Sequence, residues 1–372
     1  MPLPRPLRRL ILALPLLWTV YLIVHFLRYP SNPFPAPPKS PTTAPLLRGQ
    51  SVFPPTPRLR KHLILAATND TDTQWLQFLP HWLGLTSEIR IAPEGNNGNE
   101  AGIYLDWLIS HYDLLERWQH GDHSSDTPSR GKKSYNPGGV LIFAHAHDQS
   151  WHNNDFQFHT LEVSLRELNY PLISTRAFTN LRCDPSPGCP AWIRPHRRDS
   201  DPGPVPEAEQ FFAEAWKELG LGARAPDVIS ATCCAQFAVS VKAVLRNRKE
   251  VYEKWRRWLD EKAALGMEDK DSGRVMEYLW HVLFTGEKAC VDHEVCMCRH
   301  YGACFDEGGW EKWKGLRSET AMMQEQLKRG DTEGLPGQGF LKREIEKREG
   351  VLRGWIDEAR ERGRKLVAEG KL

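Results

Sequence analysis

An α/β architecture, a mostly parallel sheet flanked by helices, follows from three features of this 372-residue chain. Short apolar runs recur, amphipathic stretches separate them, and each run ends in a polar, turn-like segment. HLILAAT (His62–Thr68) is the first run, and the helix-like TQWLQFLPHWLGL follows it. EIRIAP (Glu88–Pro93) alternates as a second strand. NEAGIYLDWLISHYDLLERW repeats its apolar positions at helical spacing, with Asn99 as cap. GGVLIFAHA (Gly138–Ala146) is the third strand, and DVISATCCAQFAVS (Asp227–Ser240) a later one that leads into a charged helix ending near Lys262. SGRVMEYLWHVLFTG (Ser272–Gly286) reads as a further helix. Beyond Asp306 the chain is charged and helical, broken by GDTEGLPGQG, which predicts a C-terminal helical extension. Alternation of this kind belongs to glycosyltransferase-A-like or Rossmann-like sheets.

Composition narrows the function classes. With 40% hydrophobic and 26% charged residues the chain has enough apolar material for a buried core. Its 49 Lys and Arg against 47 Asp and Glu leave a net charge of +2, so no global field holds a polyanion, and DNA is not an expected partner. A basic helix around Arg246, Arg248, Lys249, Lys254, Arg256 and Arg257, interleaved with Trp255 and Trp258, is diluted by Glu250, Glu253, Asp260 and Glu261 and reads as a solvated face.

The N-terminus predicts a membrane anchor. Leu10–Leu27 is an apolar run whose strongly polar member is His25, and at 1.5 Å per residue it spans roughly 27 Å. Arg5, Arg8 and Arg9 precede it and Arg28 follows, which places the short N-terminus in the cytosol and the bulk in the lumen. The expected layout is a tail (1–9), a signal anchor (10–27), a proline-rich stalk (28–60), an α/β domain (61–306) and the helical extension (307–372), that is, a single-pass type II membrane protein.

Ligands of open α/β sheets sit beyond the carboxyl ends of strands. There HAHDQSWHNNDFQFH gathers His145, His147, Asp148, His152, Asp155 and His159. His145, His147 and Asp148 are the candidate ligands of a divalent metal, with a solvated loop as the alternative. Asp148, Trp151, His152 and Arg274 are candidates for binding substrate. On the helix from Ser272, the residues Arg274, Glu277 or Tyr278, and His281 share one stripe; such a set clamps an anion and moves a proton, with a plain exposed ion pair as the alternative. Asp70-Thr71-Asp72 matches the Asp-x-Asp pattern of metal-diphosphate sites, and Asn69-Asp70-Thr71 is an N-glycosylation acceptor at Asn69. Cys290, Cys296, Cys298 and Cys304 read as two disulfides rather than a zinc knot, while Cys183 and Cys189 enclose a turn that a bridge would staple. No base stands beside Cys233 to make it a nucleophile.

Together HLILAATNDTDTQWL, GVLIFAHAHDQSWHNND, NLRC…GCPAWIRPH, DVISATCCAQFAVS and SGRVMEYLWHVLFTG resemble a fungal family long catalogued as a domain of unknown function, over roughly His62 to Cys304. The resemblance implies an arginine-containing cyclodipeptide synthase, a transferase of secondary metabolism that joins two amino acids carried by aminoacyl-tRNA into a diketopiperazine. No catalytic residue is carried over from the family; by chemistry alone Asp155 and Glu277 are the candidates for the acidic roles of that reaction, and His147 or His281 for carrying the proton. The synthases carry an Asp-Asp-x-x-Glu motif; this chain has no Asp-Asp pair, and His152-Asn153-Asn154-Asp155 stands where the family pattern reads His-Asn-Asp-Asp. Charged tRNA is cytosolic, whereas the anchor puts the domain in the lumen. A membrane-anchored glycosyltransferase-like enzyme and a tethered binding module are the competing expectations.

Overall fold

The computed structural model describes residues 51–121, 136–184, 188–330 and 337–372. The expected tail, anchor and most of the stalk (1–50) lie outside the described residues, and no described helix is long and apolar enough to cross a membrane. Five strands, β1 (Lys61–Ala67), β2 (Leu85–Ile91), β3 (Val140–His145), β4 (Phe178–Asn180) and β5 (Phe237–Ser240), form one sheet in the order β2-β1-β3-β5-β4. β1 pairs in parallel with β2 and β3, but β5 runs antiparallel to both β3 and β4. The sheet is therefore mixed. Ser240 ends β5 and its Oγ accepts from the Ala243 N–H, so the chain turns into α5 (Val241–Val244) at the edge where β3 begins.

Residues of the central strands alternate between two cores. Ile64, Ala66, Leu141, Phe143, Phe237 and Val239 face α1 (Glu100–Gln119), α4 (Glu209–Glu218), α5, α6 (Lys249–Ala264) and α7 (Asp269–Thr285). Leu63, Leu65, Val140, Ile142, Ala144 and Ala238 face α2 (Leu161–Glu167), α3 (Tyr170–Arg176), α8 (His293–Tyr301), α9 (Gly309–Arg329) and α10 (Gln338–Ala368). Burial on both faces explains why β1 and β3 read as unbroken apolar runs, each fully buried large side chain contributing about 1.5–3 kcal/mol. The charged extension is part of this second layer: Trp310 and Trp313 of α9 and Leu352 and Ile356 of α10 are buried in the core.

Three elements differ from expectation. TQWLQFLPHWLGL forms only short 3-10 turns, Gln74–Phe78 and His81–Leu83, because Pro80 between them cannot donate to a helix. The long basic helix is split into α5 and α6, and Asn247 in the break bonds the Leu283 carbonyl and accepts from Tyr112. Of Asp227–Ser240 only the last four residues are strand.

All eight cysteines are paired: Cys183–Cys296, Cys189–Cys290, Cys233–Cys234 and Cys298–Cys304. Cys183 and Cys189 do not staple their own turn but tie it to the segment around α8, closing loops of 113 and 101 residues. Loop closure of that length stabilises by roughly 4–5 kcal/mol in the chain-entropy picture.

Candidate functional site

Because β5 is reversed, its N-terminal end meets the carboxyl ends of β1, β3 and β4, and the segment Cys233–Gln236 joins theirs at one edge of the sheet. Gln236 is the buried hub. Its Oε1 accepts from the His145 backbone N–H (3.1 Å), and its Nε2 donates to the His152 carbonyl (2.9 Å) and Asn153 Oδ1 (3.1 Å). Cys234 holds His145 and Glu277: its carbonyl accepts from His145 Nε2 (3.1 Å), and its N–H donates to Glu277 Oε1 (2.9 Å). The carbonyl fixes the proton of His145 on Nε2, which leaves Nδ1 as the basic nitrogen. Cys233 and Cys234 are bonded to each other, and Cys234 and Ala235 lie at φ 88° and 46°, a conformation that side-chain-bearing residues seldom adopt. The adjacent-residue ring therefore shapes the backbone that orients both His145 and Glu277, and it removes Cys233 as a nucleophile.

Burial sets the protonation of these groups. It lowers the pKa of His145, against the Cys234 hydrogen bond and the Glu277 charge, so the imidazole is neutral. Glu277 is pushed up by burial although Arg274, 3.3 Å away, opposes the shift. Glu100, at the start of α1, is pushed up to about 7 by burial, with Arg274 again the opposing charge. His152 stacks on His145 (ring centroids 4.6 Å apart) and packs on Trp151 (4.1 Å). Burial first, then His145 and Arg182, pushes it down to about 3. Buried Arg182 donates to Cys233 Sγ and pairs with Asp184 at 3.3 Å. Arg274 reaches outward as well: with Tyr278, Trp192, Lys270, Asp271 and Pro204–Ala208 it lines a cleft of about 310 Å³.

The structure thus unites His145, Trp151, His152, Arg274 and Glu277. It places the other expected residues elsewhere. Asp148 accepts from the Glu162 N–H and caps α2, with burial pushing its pKa up. Asp155 is taken up by His159 (3.0 Å) and by Arg317 of α9 (2.8 Å), while its N–H is held by Asp184; the His159 hydrogen bond and the Arg317 guanidinium hold its carboxyl below the usual carboxylate range against burial. His281 is buried one turn beyond Glu277, its ring bonded to the Lys288 backbone, and burial pushes it down to about 4. His147 is exposed and lies near exposed Asp70. Asp70 accepts from Thr68 Oγ1 and Asp72 from the Gln74 N–H, so the Asp-x-Asp carboxylates serve the turn after β1. Asn69 is exposed on that turn.

His145, His147 and Asp148 do not converge as a metal site. Among the described residues the one group of three metal-ligating atoms within 4.8 Å is Cys183, Cys296 and His300, and its cysteines form a disulfide. The strand ends at His145, so the alternation needed to bring His147 to the same face stops there, and Asp148 is committed to α2. Glu100, Arg182 and Gln236 were not legible as site residues. Glu100 reads as an ordinary acidic residue in a first helical turn, and no spacing ties it to a helix that starts at residue 269.

Residues 135–299, less than half of the chain, match the family model described as "Protein of unknown function (DUF3431)". The matched stretch contains every residue of the united cluster. No curated protein and no solved structure matches the chain.

Proposed function

We propose that this protein is a membrane-anchored, glycosyltransferase-like enzyme of the secretory pathway, with His145 and Glu277 as its proton-moving groups. The observation that carries the choice is the pairing of all eight cysteines, which suits an oxidising compartment and not the cytosol where charged tRNA resides. A neutral imidazole beside a carboxyl of raised pKa is the composition of an acid–base site. In the transfer, Nδ1 of His145 takes the proton of an acceptor hydroxyl as the new C–O bond forms and the bond to the donor's phosphate breaks. The phosphate leaves as an anion toward Arg274, with Lys270 on the same cleft wall.

The cyclodipeptide synthase is the second reading, and one observation favours it. Glu100 and Glu277 set two carboxyl groups about Arg274, a pair suited to a substrate guanidinium if Arg274 yields its place. One expression experiment in a fungal host separates the two. Release of nucleoside diphosphate from a sugar donor, together with an endoglycosidase-sensitive glycan at Asn69, supports the first reading. Accumulation of an arginine-containing diketopiperazine, with Asn69 unmodified, replaces it by the second.

A further inference from the structure

The sheet has a second cleft at its opposite end. Lys61 opens β1, whereas the cluster of His145 and Glu277 lies beyond the strand's other end. A cavity of about 370 Å³ surrounds it, lined by Phe53, Pro54, Pro55, Trp82, Leu83, Tyr170 and Arg166 among others, with no acidic residue in its wall. That volume is within the range of sites that enclose a small ligand.

Lys61 is the unusual group here. Only 4% of its surface is exposed, yet it sits at the head of a strand whose next inward residues are apolar. Its Nζ donates to the carbonyls of Leu83 (2.6 Å) and Thr56 (3.2 Å) and lies 4.9 Å from the centre of the Tyr170 ring. These contacts orient the ammonium, but no carboxylate pairs with it among the described residues, and one of its three N–H groups has no carbonyl partner. Burial without a counter-ion pulls its pKa down to about 8. Buried charges in proteins are paired, so an ammonium in a cavity wall that meets two carbonyls and a ring but no carboxylate among the described residues asks for an anion from outside. Arg166 on the same wall is paired with Glu162 (3.1 Å) and adds no acid to the cavity itself. The remaining lining, with Trp82 54% exposed at the rim, offers aromatic and aliphatic surface to a ligand body.

We infer that this cleft binds a small amphiphilic acid, its anionic head on Lys61 and its apolar body between Phe53, Trp82 and Tyr170. The inference is independent of the proposed reaction at the other end of the sheet. The volume is that of a site for one small molecule.

The test is calorimetric titration of the full chain in a non-ionic detergent with three probes: biphenyl-4-carboxylate, its uncharged analogue biphenyl-4-methanol, and inorganic phosphate. The acid is expected to bind one to one and at least ten-fold more tightly than the alcohol, with no binding of phosphate alone. Lys61→Met is expected to bring acid and alcohol to equal affinity, and Trp82→Ala, at an exposed rim position, to weaken both. Equal binding of acid and alcohol by the unaltered chain overturns the inference, as does phosphate binding as tightly as the acid. The comparison of probes on the unaltered chain decides the matter even where Lys61→Met fails to fold.

Discussion

Two clusters of ionisable side chains grow from the same sequence stretch, and they have opposite fates. Around Asp155, every charge meets a partner: His159 and Arg317 take its carboxylate, and Asp184 takes its N–H. Around His145, backbone groups of Cys234 and the amide of Gln236 orient the side chains, and Arg274, which pairs with Glu277, also faces an open cleft. A cluster closed on itself fastens elements together, here α9 to the loop after β3; one that is oriented and opens on a cleft is equipped to meet a ligand. Residue type alone does not separate the two, since both contain histidine, arginine and carboxylate.

The contrast is most exposed to failure at Glu277. Glu277→Gln should lower turnover of the donor at least about 100-fold with the melting temperature little changed, because it removes a proton-moving group and keeps the shape. Activity within a few-fold of the unaltered chain would reduce Glu277 to a helix-anchoring role. Asp155→Ala is the mirror experiment. It should cost about 2 kcal/mol of stability in chemical denaturation, less than a fully buried pair because the carboxyl is partly exposed, while the folded fraction keeps its activity. Loss of activity at unchanged stability would move Asp155 into the site.

A smaller effect belongs to the adjacent-cysteine ring. Replacing Cys233 and Cys234 together by serine should lower turnover about ten-fold by loosening the Cys234 amide that orients Glu277 and His145, with kcat affected more than KM. An unchanged kcat shows that the backbone keeps its course without the ring. The last effect concerns pH. Glu100 is raised to about 7 in the folded chain, so between its ordinary value near 4.5 and about 7 the folded state holds the proton that the unfolded state has lost. Stability contributed by this group thus falls as pH rises through that window, and Glu100→Gln should gain about 2–3 kcal/mol relative to the unaltered chain on going from pH 5 to pH 8. The opposite sign holds for Asp155, whose depressed pKa contributes stability above about pH 4 that is lost on further acidification. Denaturation curves at pH 3, 5 and 8 read both signs.

The legible parts of the molecule were those set by local pattern. β1, β3, α1 and α7 announce themselves because burial on one or both faces imposes an apolar period on the sequence. β4, three residues long, is too short to carry a period, and the reversed direction of β5 depends on pairing with strands far away in the chain. His145, His152, Arg274 and Glu277 were recognisable from their chemistry at a strand end and a helix stripe. What brings them together is Gln236 and the Cys234 backbone, which carry no sequence signal because one is a common amide and the other acts through main-chain atoms.

The order of the strands has a consequence for synthesis. Among the described strands β4 pairs with β5 alone, so it leaves the ribosome long before its neighbour exists, and the bridges from Cys183 and Cys189 wait longer still, for Cys296 and Cys290. The early half of the domain must therefore be kept from wrong pairing, by itself or by a chaperone and an oxidoreductase, until nearly the whole of the matched region has been translated.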